Sequence, residues 1–205
     1  KIQSNAECKG FMNILGSVPQ FAGNATFAKA PDDNDSEPFD WPWETGPEGL
    51  CVVGGELSIP NLYSAYAHGT FPWPHDDYPM LWFSPDERGV IPLKESVAPK
   101  SFLKWLKKTP LQISWNQAFA HVLEGCRWQK RPGQNGTWIN DEVVKGYIDF
   151  HKAGYAHSIE IWNDGKLAGG LYGVFVEGVF SAESMFHRES NASKLALWHL
   201  ISVLR

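Results

Sequence analysis

Glu183 is the residue in this 205-residue sequence whose chemistry most needs explaining. It lies in Val179 to Met185, a stretch that reads as a strand, with Phe180, Ala182, Met185 and Phe186 around it. A carboxylate among apolar groups near a strand end either finds partners or has its pKa raised. The alternative is an edge-strand glutamate facing water. A second pattern is cationic. Lys100, Lys104, Lys107 and Lys108 recur at i, i+4, i+7 and i+8 in a segment that Pro99 opens as a helix to about Lys108. That spacing sets four ammonium groups on one face with no acidic partner there, so the face is either simply solvated or a seat for a polyanion. A third feature is Gly169-Gly170 inside an otherwise apolar strand, a pair that suggests a bulge or another molecule approaching the backbone closely.

The elements that position these residues follow from turn chemistry and period. Ser158 to Trp162 is short and β-branched, and Asn163-Asp164-Gly165-Lys166 supplies residues that tolerate positive φ in a tight hairpin. Leu167 to Phe175 resumes as a strand, Glu177-Gly178 turns the chain, and Val179 to Met185 is the third strand. The polar loop from Phe186 to Ser190 leads to Asn191, read as the N-cap of a last helix. Upstream, Leu50 to Gly54 reads as a short buried strand, and Ser58 with Pro60 begins a helix carrying Leu62, Tyr63 and Tyr66 that stops at Gly69. Phe71-Pro72-Trp73 reads as a rigid turn, and Leu81 to Phe83 and Gly89 to Ile91 as strands. Leu111 to Trp115 is a strand, and Asn116 caps a helix with Phe119, Val122, Leu123 and Cys126 on one face. Asn140 caps another that buries Val144, Tyr147 and Ile148. The fold class is α+β: a small N-terminal α/β unit over 41–86, then a larger domain over 87–205, preceded by an acidic leader over 1–40.

Charge and composition narrow the function. Three Lys against eight Asp or Glu fall in residues 1–48, a net of −5, while residues 49–205 are neutral. A neutral body argues against bulk affinity for nucleic acid and for DNA in particular, yet leaves room for a local basic patch. Three cysteines, Cys8, Cys51 and Cys126, have no metal-binding spacing and point to a reduced compartment. No apolar run reaches membrane-spanning length and no signal-peptide pattern opens the chain, so the expected location is the cytoplasm.

Seven segments carry a resemblance. Gly-Thr-Phe-Pro-Trp (69–73), Trp-Phe-Ser-Pro-Asp (82–86), Gly-Thr-Trp-Ile (136–139), Gly-Tyr-Ala-His-Ser-Ile-Glu-Ile-Trp (154–162), Gly-Gly-Leu-Tyr-Gly-Val (169–174), Glu-Ser-Met-Phe (183–186) and Asn-Ala-Ser-Lys (191–194) occur in this order. Together they resemble the leucyl/phenylalanyl-tRNA–protein transferase family, from about Pro47 to the last residue, with the leader unmatched. The order strand, helix, helix, three strands, helix resembles the N-acetyltransferase-like acyltransferase fold, with a mixed, mostly antiparallel sheet flanked by helices. Where acetyl-CoA users have a glycine-rich loop, residues 186–192 have no glycine and carry Glu189, so coenzyme A is not expected and no cofactor or metal is assigned.

The resemblance implies transfer of Leu or Phe, with Met a possible third, from aminoacyl-tRNA to the N-terminal amine of proteins beginning with Arg or Lys, marking them for degradation. In the family's terms Trp73 and Trp138 hold the terminal adenosine by stacking, and Leu171, Phe180 and Leu197 form the pocket for the amino-acid side chain. Gly170 is counted with these substrate contacts. Glu183 orients the attacking amine or takes its proton, Ser184 and nearby N–H groups stabilise the oxyanion, and the four lysines contact the acceptor arm. The family continues beyond the helix that ends at Arg205, so the domain is expected to be incomplete there. Two other readings remain open: a non-catalytic binder of aminoacyl-tRNA 3′ ends, and transfer to a small-molecule or cell-wall acceptor. The last helix is apolar nearly all round, which predicts cover from the leader, through Phe11, Ile14, Leu15 and Phe21, or from a second copy of the chain in a homodimer.

Overall fold

The computed structural model describes residues 45–75, 78–130 and 136–205. The leader residues expected to cover the last helix lie outside them. Three long strands dominate, and two left-handed turns join them. β5 (Ala156–Asn163) passes to β6 (Lys166–Val176) through Asp164 and Gly165, at φ 46° and 72°. β6 passes to β7 (Val179–His187) through Glu177 and Gly178, at φ 49° and 80°. Two consecutive residues at positive φ give the turn whose twist matches that of the strands it joins. β4 (Gln112–Trp115) completes a sheet in the order β4-β5-β6-β7, and every pairing in it is antiparallel. No parallel pair supplies the mixed character that was expected, among the described residues.

Helices cover both faces. On one lie α3 (Phe119–Arg127) and α4 (Asp141–Lys152), whose Val122, Leu123, Val143, Tyr147 and Phe150 share an apolar cluster with Tyr172 and Val174 of β6. On the other, α5 (Ala192–Leu204) and α2 (Lys100–Leu106) share a cluster with Ile159, Ile161 and Leu171. The alternation of β6 side chains between the two clusters is the period of two expected of a strand buried on both faces. Packing is closest at the glycines. A Cβ on Gly170 would lie 2.9 Å from the Ile159 carbonyl and 3.0 Å from Val122, and one on Gly169 would lie 2.7 Å from the Ala192 Cβ. The close approach inferred for the pair is therefore made by α3, α5 and neighbouring strands of the same chain. The bulge inferred there falls one residue before the pair, at Ala168, which the β5–β6 register skips.

The apolar α5 finds its described cover in this second cluster, with Phe102 and Leu106 of α2, Leu111 and Ala98. Arg205 closes the end by donating to the carbonyls of Leu93 and Ser96 and lying over the Trp198 ring.

Two expected caps are replaced. Asn116 is left-handed at φ 58° and ties β5 instead, accepting from the Ser158 amide and bonding His157. The N–H groups of Gln117 and Ala118, at the start of α3, point to the carboxylate of Glu160 from β5. Asn191 sits at the start of α5 at φ 67° and makes no side-chain cap. Asn140 does cap α4, accepting from the Val143 amide at 2.9 Å.

The small unit consists of α1 (Ile59–Ala67) against a three-stranded antiparallel sheet of β1 (Leu50–Val53), β3 (Leu81–Phe83) and β2 (Phe71–Pro72). Phe71 and Pro72, read as a turn, thus pair as a short strand with β3. β1 is half-buried with Val53 exposed, not buried throughout. Gly89 to Ile91 forms no strand: the chain continues to Pro92 as an exposed loop with no partner ladder for Val90 and Ile91. The unit docks on the larger domain through Leu57, whose Cβ is 2.6 Å from the point where a Cβ on Gly146 of α4 would sit. Leu62, Ala65 and Trp82 extend the first apolar cluster into the small unit. Tyr63 donates to Glu177 at 2.5 Å and packs edge-on against Tyr155.

Candidate active site

The β6–β7 register turns Glu183 out of the ladder. Tyr172 lies opposite Ser184 and Gly173 opposite Ala182, so Glu183 has no partner residue and forms a bulge. A bulge re-aims the extra side chain and increases the local twist. The Glu183 carboxylate, half-buried, meets the hydroxyl of Tyr147 from α4, which donates to Oε2 at 3.4 Å. The Tyr147 hydroxyl is in turn 2.5 Å from that of Tyr66 on α1. Burial pushes the Glu183 carboxyl up to about 7, and the hydroxyls of Tyr66 and Tyr147 and the charge of Arg88 pull less strongly the other way. Both tyrosines are themselves pushed well above their ordinary value, by burial first and then by the carboxylate beside them. The arrangement is a carboxyl poised near neutrality and backed by two phenols that remain protonated, a suitable pair of properties for a proton acceptor.

This carboxyl opens into a cleft of about 240 Å³ between the two units. Phe71, Pro72 and Trp73 come from the small unit and Arg88 from the loop after β3, with Trp138, Ala182 and Glu183 opposite. Trp73 is 46 % exposed, stacked on His75 at 6.1 Å and edge-on to Phe83 at 6.1 Å. Trp138 is half-buried and packs against the first apolar cluster. Two indoles and a carboxyl in one cleft can hold a planar base and a group that loses a proton.

Comparison with known proteins decides the family. Residues 90–205 match the model of the leucyl/phenylalanyl-tRNA protein transferases, and residues 55–86 match the model of their N-terminal domain. The chain belongs to the leucyl/phenylalanyl-tRNA–protein transferase family. It is similar to the leucyl/phenylalanyl-tRNA–protein transferase of Pseudoalteromonas translucida, 47% identical over 159 residues that cover 78% of this chain and 66% of that protein. The transferase of Oleidesulfovibrio alaskensis is 44% identical over 171 residues, covering 81% of this chain and 69% of that protein. The chain thus spans about two thirds of the length of the curated relatives it matches.

Against the family expectation, the cleft brings together Trp73, Trp138 and Glu183 and omits the rest. Ser184 is buried, opposite Tyr172 in the strand pairing, and is not part of the cleft wall, where Ala182 stands instead. Gly170 is closed off by Val122 and Ile159. Leu171 is fully buried in the second apolar cluster, and Phe180 and Leu197 are half-buried at the edge of that cluster. Met185, at the surface of β7 opposite Leu171, borders the same group. The four lysines are exposed on α2 and the turn that follows it, and none forms an ion pair among the described residues.

Tyr66, Tyr147 and Arg88 were not picked out by sequence. The tyrosines read as core because their helical positions are buried ones, but a buried phenol requires a hydrogen-bonding partner, and that requirement was the available signal. A larger groove of about 700 Å³ is lined by His121, Trp128, Lys130, Trp162, Phe186 and Arg188, among others, and contains none of the expected residues. Size alone therefore does not select the site. At the entry to α5, the N–H groups of Arg188 and Glu189 both point to the Ala168 carbonyl, and the Glu189 carboxylate accepts from Asn163. Among the described residues, no three metal-binding side chains cluster and no helix is long and apolar enough to cross a membrane.

Proposed function

We propose that the cleft receives the 3′-terminal aminoacyl-adenosine of a charged tRNA, and that Glu183 serves transfer of its amino acid to the N-terminal amine of a protein. The supporting observation is the bulged Glu183, with its carboxyl raised to about 7, facing a cleft walled by Trp73 and Trp138. Stacking a base on an indole is worth about 1–3 kcal/mol and needs no charge, which suits the two tryptophans of the cleft wall. In the reaction the amine nitrogen attacks the ester carbonyl carbon. A C–N bond forms, the bond from that carbon to the ribose oxygen breaks, and the oxygen departs with the proton that Glu183 has taken from the amine. The amine loses its proton to the Glu183 carboxylate, close to which the Tyr147 and Tyr66 hydroxyls lie. The ester is already activated, so fixing the two reactants together supplies much of the acceleration.

The transferred side chain, Leu or Phe and by size also Met, is assigned to the group of Leu171, Phe180 and Leu197. The acceptor is assigned as a protein beginning with Arg or Lys, marked in this way for degradation, and the setting as the cytoplasm, where charged tRNA is available. Lys100, Lys104, Lys107 and Lys108 are assigned to the phosphates of the acceptor arm. The test is transfer of labelled leucine or phenylalanine from charged tRNA to a protein with N-terminal Arg. Labelled protein is expected from the wild-type chain and not from Glu183→Gln. Tight binding of charged tRNA with no labelled product in any condition would replace the transferase reading with that of a binder of tRNA ends.

A further inference from the structure

Among the described residues lining the cleft there is one cation, Arg88. It is exposed, yet its position is fixed. Nη1 donates to the Gly69 carbonyl at 3.0 Å, and the guanidinium carbon lies 4.9 Å from the centre of the Phe71 ring. Both contacts are to neutral groups, and Arg88 forms no ion pair among the described residues. A guanidinium carries five donors in a planar fork, so a carbonyl and a ring face orient it without using up the fork or its charge. An arginine held in this way at the wall of a cleft is prepared for an anion.

We propose that Arg88 is the phosphate anchor of the cleft, binding the phosphodiester on the 5′ side of the terminal adenosine. This rests on the reading of the cleft as the site of a tRNA 3′ end, and it adds the contact that fixes how the end is seated. A base stacked on Trp73 or Trp138 is held against sliding away from the wall but is free to rotate in its own plane. A charged fork on the adjoining phosphate removes that freedom and so sets where the ester carbonyl falls relative to Glu183. The same contact changes the carboxyl. The groups acting on Glu183 are Tyr66 of α1, Tyr147 of α4 and Arg88, and the Arg88 charge holds the carboxyl down. A bound phosphate offsets that charge, so Glu183 becomes a stronger base when RNA is in place.

The test uses two non-hydrolysable probes, 3′-aminoacylamido-3′-deoxyadenosine with and without a 5′-phosphate. Their binding is followed through tryptophan fluorescence in the wild-type chain, Arg88→Gln and Arg88→Lys. Charge-assisted hydrogen bonds of this kind strengthen binding about ten- to a hundredfold. The wild-type chain is expected to bind the phosphorylated probe more tightly by that factor. Arg88→Gln is expected to bind both probes equally and to retain wild-type affinity for the unphosphorylated one. Arg88→Lys is expected to keep part of the gain, having the charge without the fork. The proposal is overturned if Arg88→Gln keeps the full gain, if the wild-type chain shows none, or if Arg88→Gln weakens both probes alike, since Arg88 would then shape the cleft without binding phosphate. Failure of the wild-type chain to bind either probe overturns the reading of the cleft itself.

Discussion

Two glutamates enter the same sheet and are treated in opposite ways. Glu160 on β5 is fully buried and surrounded by donors. The hydroxyls of Ser114 and Ser158 and the N–H groups of Gln117 and Ala118 all converge on its carboxylate. Glu183 on β7 has a tyrosine at 3.4 Å and a cleft in front of it. The first joins β4, β5 and the start of α3, which is structural work. The second is under-supplied with donors and is kept near its ionisation point. A carboxylate given every donor it can use holds a fold together, and one given too few remains available for chemistry.

The largest expected effect comes from breaking the saturated member. Glu160→Ala leaves two buried hydroxyls and two helix N-terminal N–H groups without their acceptor, and a loss of about 3–5 kcal/mol is expected. Chemical denaturation with two probes would measure it. A loss under 1 kcal/mol would mean that water or repacking substitutes for the carboxylate, and the contrast with Glu183 would fall.

Glu183→Gln should do the reverse, lowering transfer by about a hundredfold or more while leaving the fold intact. Its pH dependence sharpens the point. A proton acceptor must be ionised, so wild-type transfer at limiting tRNA, which reports the free enzyme, is expected to rise with pH and level off above about 7. Stability runs the other way. Because folding raises this carboxyl from its ordinary 4.5 to about 7, the native state binds the extra proton in that window. The group costs nothing below the window and destabilises progressively as pH rises through it. Glu183→Gln is therefore expected to be more stable than wild type above pH 7, by about 1–3 kcal/mol, and equal to it at pH 4. Equal stability at both pH values would place the carboxyl in water.

Tyr147→Phe is a smaller perturbation of the same site. It removes a donor that holds the carboxyl down, so the pH at which transfer is half-maximal should move upward, with a rate loss of about tenfold at pH 7. Unchanged profiles would leave Tyr147 as packing beneath the bulge.

How much of this was legible in sequence depends on whether the cause is local. The hairpin at Asp164-Gly165, the cap at Asn140 and the turn at Glu177-Gly178 were legible because each depends on a few adjacent residues. The start of α3 was misread at Asn116 because its real acceptor, Glu160, is more than forty residues away. Glu183 stood out as a carboxylate in an apolar strand, but that it leaves the ladder depends on the register with β6, which no window of sequence contains. Tyr66 and Tyr147 were likewise placed on buried faces without their meeting being visible, since their hydroxyls come together only when the small unit docks. The pairing of Trp73 with Trp138 was available through family resemblance alone, as nothing in a chain with ten tryptophans singles out two.

The smallest effect concerns the cations outside the cleft. Lys104 and Lys107 are exposed, and neither pairs with a carboxylate among the described residues, so the fold has no evident need of their charge. Arg88 differs, being fixed by a carbonyl and a ring. Exposed ammonium groups held by no partner of fixed geometry attract phosphates without orienting them, so replacing Lys104 and Lys107 by Ala should weaken all tRNA bodies alike. Each lost phosphate contact should also flatten the dependence of log Kd on log salt by about one unit. The short phosphorylated probe, which ends at the terminal adenosine, should bind the double variant as it binds wild type, because it does not extend to an acceptor arm. If the salt slope is unchanged, α2 presents an ordinary solvated face and the RNA body is held elsewhere. If the short probe weakens as well, the lysine face and the cleft act as one electrostatic site, and the division between a seating cation and steering cations is lost.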